Sequence, residues 1–69
     1  MNNNHYMYRV FWSPEHEEYV GLCAEFPSLS WLDVQAEKAL KGIMDLVSEV
    51  VEDMQHNGEQ VPIPLSHSK

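Results

Sequence analysis

The stretch YMYRVFWSPEHEEYVGLCA, residues 6–24, decides how the chain begins to fold. From Tyr6 to Ser13 aromatic and β-branched residues alternate, placing Tyr8, Val10 and Trp12 on one face and Met7, Arg9, Phe11 and Ser13 on the other, as a strand requires. Pro14 and the charged residues Glu15 to Glu18 interrupt the pattern, and Tyr19 to Ala24 resumes it with Val20, Leu22 and Ala24 sharing a face. The pair reads as an antiparallel hairpin. The face of Tyr8, Val10 and Trp12 is expected to pack on a helix, leaving Phe11 exposed or covered by a partner. Pro27 lacks a ladder N–H and restricts Phe26 before it, so the second strand stops near Glu25-Phe26-Pro27-Ser28 and a short third strand spans Leu29 to Leu32.

Outward from this meander the hydrophobic period changes from 2 to 3.6. Ala36, Leu40, Ile43, Val47, Val50 and Met54 form one stripe over a helix from about Gln35 to His56, widened by Ala39, Met44, Leu46 and Val51. At roughly 100° per residue the apolar arc is about 160° wide. One small sheet covers less than that, so Met44, Leu46 and Val51 are expected to face a second subunit in a homodimer or higher homo-oligomer. Asn57-Gly58 supplies a C-terminal stop, and Asp33 is a candidate cap at the other end. In Glu59 to Leu65, Pro62 and Pro64 permit only an edge strand or an arm. The expected fold class is α+β in two layers: a three-stranded antiparallel meander, one long helix and a short edge strand. Residues 1–5 are expected to be a disordered tail, 6–65 the domain and 66–69 a frayed end.

The composition narrows the function. Eleven acidic residues against four Lys plus Arg give 69 residues a formal charge of −7, which repels phosphate backbones and favours basic proteins. A hydrophobic content of 43% in clustered runs argues for a folded chain, though one short enough that its own core is marginal. The polar N-terminus does not resemble a signal peptide, and no apolar run reaches the roughly 18 residues of a membrane span, so a soluble cytoplasmic protein without membrane association is expected. The lone Cys23 has an acidic and apolar neighbourhood, opposite to what activates a thiolate, and reads as a small buried side chain. His5, His16, His56 and His67 show no ligand spacing, and Glu17-Glu18 and Glu52-Asp53 read as solvated charge. No catalytic residue, metal site or cofactor is expected.

Four segments taken in order carry a family resemblance: Tyr8 to Ser13, Glu18 to Leu32, Glu37 to Ile43 and Asn57 to Pro64. Over roughly residues 6–65 the chain resembles the HicB antitoxins of type II toxin–antitoxin systems. That resemblance implies a partial ribonuclease H-like fold, β-β-β-α-β, with a fourth strand near Val61 to Leu65. It also implies a partner, HicA, a small basic ribonuclease toxin that cleaves messenger RNA with a histidine and is silenced when its active site is occluded. Ribonuclease H catalysis needs clustered carboxylates, starting with an acid on the first strand, and Tyr6 to Ser13 has none, so the chain is not expected to be an enzyme.

Within this reading Glu15, Glu17, Glu18 and Glu25 are the expected charge contacts, and Phe11 and Phe26 the apolar anchors. These assignments follow from charge and exposure rather than from family residues. Three departures stand out. His16-Glu17 replaces the Asp-Gly of many relatives in the hairpin turn, which makes a positive-φ turn more costly. Val34-Gln35-Ala36-Glu37-Lys38 replaces their Asp-Thr-Pro-Glu-Glu, weakening the helix cap. The sequence also stops at Lys69, before the operator-binding segment that many relatives carry, so direct DNA binding is not expected. The alternative reading is a stand-alone oligomeric structural or regulatory module of the same fold with no toxin partner.

Overall fold

A computed structural model of the chain describes residues 5–65. Of the tails expected at 1–5 and 66–69, residues 1–4 and 66–69 lie outside the described residues, and His5 is described and exposed. Three strands, β1 (Tyr8–Ser13), β2 (Glu18–Cys23) and β3 (Ser30–Asp33), precede one helix, α1 (Ala36–His56). The strands form an antiparallel sheet in the order β1-β2-β3, with Tyr8 opposite Cys23, Ser13 opposite Glu18, Tyr19 opposite Asp33 and Leu22 opposite Ser30. The α+β meander-plus-helix expectation holds.

Paired residues share a face of the sheet, and Gly21 identifies the one that carries α1. A Cβ added there would lie 2.6 Å from the Ala39 carbonyl oxygen and 2.9 Å from Ile43 Cγ2. The inner face therefore holds Tyr8, Val10, Trp12, Tyr19, Gly21, Cys23 and Trp31. Arg9, Phe11, Glu18, Val20, Leu22, Ser30 and Leu32 point away from the helix. The strand β1 presents the face expected of it.

The helix sits on the sheet by one i,i+4 line. Ala39, Ile43, Val47 and Val51 are buried together with Gly42, whereas Leu40 and Ala36, assigned to the centre of the stripe, are exposed. Tyr6, Cys23, Phe26, Ile43, Val47 and Val51 form the core cluster, with Tyr8, Leu29, Leu46, Val50, Met54 and Val61 packed around it. This corrects the expected subunit surface. Val51 is 3% exposed inside its own core, and Leu46 leans on the same cluster, so of the three residues assigned to a second subunit only the half-buried Met44 lies outside it. The physical reason is phase: close approach at Gly21 turns the helix until its small-residue line meets the sheet.

Gln35 is the extended N-cap and makes no side-chain cap bond, in keeping with its poor capping chemistry. Asp33 acts just upstream, its Oδ1 accepting the Gln35 N–H at 3.0 Å. At the far end Gly58 takes φ +75°, letting its N–H reach the Gln55 carbonyl and the Glu59 N–H reach that of Met54, the paired bonds of a Schellman stop.

The hairpin loop Pro14 to Glu17 needs a left-handed residue and has no glycine, so Glu17 takes φ +53°. Ser13 Oγ and His16 Nδ1 meet at 3.0 Å across the loop. A side chain in this region is strained where glycine is not. Glu17→Gly is therefore expected to stabilise the fold by about 0.5–1 kcal/mol, visible as a higher melting temperature; a lower one would contradict a left-handed Glu17.

The tail does not form the expected fourth strand among the described residues. Pro62 and Pro64 cannot donate to a ladder, and side chains hold the segment instead. The Tyr6 hydroxyl donates to the Pro62 carbonyl at 2.7 Å, Pro64 is buried and Val61 packs on the core. Among the described residues no helix is long and apolar enough to cross a membrane.

Candidate functional site

The helix covers one face of the sheet, and the register composes the other. Phe11 pairs with Val20 and Val20 with Leu32, so one apolar row crosses all three strands. Phe11 is 42% and Leu32 37% exposed, whereas Val20 between them is 9% exposed because a large side chain stands on each side of it. The adjacent row is Arg9, Leu22 and Ser30. At the corner after β2 a groove of about 320 Å³ opens among Met7, Arg9, Leu22, Ala24 and Pro27, with Tyr8 and Cys23 of the inner face also lining it. Arg9 is the one basic residue in the three strands, and its guanidinium lies 5.4 Å from the centre of the Phe11 ring.

Acids border this face at the hairpin end. Glu15 and Glu17 are exposed on the loop, and Glu18, opposite Ser13, is half-buried on the outward side of β2. Together with Phe11 they form one continuous surface, an apolar row with an acidic margin. Val20 and Leu32 were not anticipated. The signal for Val20 was present in the alternation of β2, but grouping by side-chain size hid that the small Gly21 and Cys23 are the inward residues.

Glu25 and Phe26 do not join this surface. Phe26 is buried and meets the Tyr6 ring edge-on, with centroids 5.6 Å apart and planes at 87°. It plugs the corner after β2, and its assignment as a partner anchor is corrected by that burial. The Glu25 carboxylate is a clamp rather than a free charge: it accepts the N–H of Met7 at 3.1 Å and of Leu65 at 2.6 Å, with the Cys23 sulfur at 3.5 Å. It ties the residue before β1 to the tail at Leu65, 40 positions past Glu25.

Burial alone would push the Glu25 pKa up, but hydrogen bonds from Leu65, Met7, its own backbone and Cys23 outweigh it and hold the carboxyl below its ordinary value. A depressed folded-state pKa gives stability that is fully present above the unfolded-state pKa and lost as pH falls through the folded one. The Leu65 amide resonance is thus expected to shift with acidification, with a midpoint below the ordinary glutamate range. In Glu25→Gln that titration should vanish and the tail should loosen, at a cost of about 1–2 kcal/mol for charge-assisted bonds. An unchanged titration in that variant would refute the clamp.

Burial chiefly raises the Cys23 pKa, and the adjacent Glu25 carboxylate adds to the effect, so the thiol is buried and held protonated. Among the described residues no three His, Cys, Asp or Glu side chains come together as a metal site. Comparison with protein-family models, with curated proteins and with solved structures returns no match.

Proposed function

We propose that this chain is the HicB-like domain of an antitoxin and that its outward sheet face docks and occludes a small basic ribonuclease. The observation that carries the proposal is the row Phe11–Val20–Leu32, left uncovered by α1 and bordered by Glu15, Glu17 and Glu18. An apolar centre with a charged margin is the anatomy of a protein interface, and the formal charge of −7 steers it towards a basic partner. The order of three strands and a helix is consistent with the first four elements of the partial ribonuclease H-like domain in that family. In this reading the chain is an inhibitor and not a catalyst, acting in the cytoplasm.

Co-expression with the product of the neighbouring gene, expected to be a small basic toxin, tests the proposal. Growth should be restored and the two proteins should co-purify in a fixed ratio. Toxicity unrelieved, or no complex, would count against an antitoxin.

A further inference from the structure

The helix stop is built on Asn57-Gly58, the one place in the sequence where glycine follows asparagine; Asn2, Asn3 and Asn4 are followed by asparagine or histidine. That order matters chemically, because the backbone nitrogen of the next residue attacks an asparagine carboxamide most readily when that residue has no side chain in the way. Asn57 and Gly58 are both exposed, and no atom beyond the chain neighbours lies within 4 Å of where a Gly58 Cβ would stand. The Asn57 carboxamide makes no hydrogen bond among the described residues. The fold nevertheless holds the pair in an unreactive posture. Asn57 has ψ 2°, which turns the Gly58 nitrogen towards the Asn57 amide nitrogen and away from the side chain. The Gly58 N–H is committed to the Gln55 carbonyl at 3.2 Å, and the Glu59 N–H to that of Met54 at 2.8 Å. Attack requires rotation about the Asn57 Cα–C bond, and that rotation breaks both bonds.

We infer that Asn57 is a site of spontaneous deamidation, braked by the helix stop and destructive of it. The Gly58 nitrogen gives up its proton and bonds to Asn57 Cγ, the carboxamide C–N bond breaks, and ammonia leaves with that proton, closing a cyclic imide. Water then adds to one of the two imide carbonyls. Opening between Cγ and the Gly58 nitrogen gives aspartate, whereas opening at the former backbone carbonyl gives isoaspartate, with the main chain running through Cβ and Cγ. Aspartate places a negative charge beside the carbonyl end of α1, which is a small electrostatic cost. Isoaspartate inserts an extra main-chain carbon between the Asn57 Cα and the Gly58 nitrogen, so the Gly58 and Glu59 N–H groups no longer reach their two carbonyls together. The tail then loses its fixed start, ahead of Val61 on the core and the Pro62 carbonyl that accepts the Tyr6 hydroxyl. The conversion runs one way and does not depend on the proposed toxin.

Ageing the full chain in neutral buffer, folded and in urea, with peptide mapping by mass spectrometry, tests this. In urea the mass gain of an amide-to-acid conversion is expected first at Asn57. In the folded chain the same site should convert more slowly by about tenfold or more, because reaction waits on local opening of the stop. Asn57→Gln should abolish the conversion at this position in both. Hydrogen–deuterium exchange then reads the consequence: the Glu59 amide is expected to lose most of its protection in the isolated isoaspartate form. Asn57→Asp, which carries the charge without the extra carbon, should keep that protection. Conversion in urea first at Asn2, Asn3 or Asn4, equal rates at Asn57 in the folded and unfolded chains, or a Glu59 amide equally protected in the isoaspartate form would each overturn the inference. So would an Asn57→Asp variant that exchanges as freely as the isoaspartate form.

Discussion

Replacing Gly21 by alanine is expected to destabilise the fold by about 2–3 kcal/mol, the upper part of the range for overpacking a close contact. The atom in the way is the Ala39 carbonyl oxygen, 2.6 Å from where the new Cβ would lie, and backbone cannot rotate aside as a flexible side chain can. To admit a methyl group the helix must lift, and Ile43 and Val47, both fully buried, lose their seat. At roughly 0.05–0.15 kcal/mol per residue a domain of this length has only a few kcal/mol in all. The melting temperature should therefore fall by about 10–20 °C. Gly42→Ala also creates a collision, 2.2 Å from the Trp31 indole, but that ring is 42% exposed and has solvent to move into. The smaller loss should fall on Gly42. If thermal denaturation ranks the two the other way, the helix does not rest on Gly21.

The same contact explains what could and could not be read in advance. The helix was legible nearly residue for residue, since its period and the Asn57-Gly58 stop are local signals, and so was the alternation that sends Phe11 outward. The phase of the helix was not. An apolar arc that wide has no unique centre, and the sheet selects the line Ala39, Ile43, Val47 and Val51, which moves Val51 from an expected subunit surface into the core. In β2 the residues that face the helix include, beside Tyr19, the small Gly21 and Cys23, chosen by closeness rather than hydrophobicity, while Val20 and Leu22 face outward. Glu25 was read as a surface charge because its partners, Met7 and Leu65, lie 18 and 40 positions away. No local pattern encodes such a clamp.

Leu32→Lys is expected to weaken binding of the proposed basic partner by about 2 kcal/mol or more, roughly thirtyfold in Kd, while leaving the fold intact. Leu32 lies on β3, at the end of the row opposite Phe11 with Val20 between them. Being 37% exposed, it has room for a lysine stem, yet the ammonium would stand in the apolar row beside Val20 and repel a basic surface. Glu52→Lys, on the exposed side of α1, changes the net charge twice as much on the layer remote from that row. Titration of the wild type and both variants with a HicA-like basic ribonuclease, the partner proposed above, at fixed ionic strength, tests the account most directly. The account predicts that Leu32→Lys loses most of the affinity and Glu52→Lys only a few-fold. Equal affinity for Leu32→Lys and wild type, or a larger loss for Glu52→Lys, would contradict a partner seated on the outward face of the sheet.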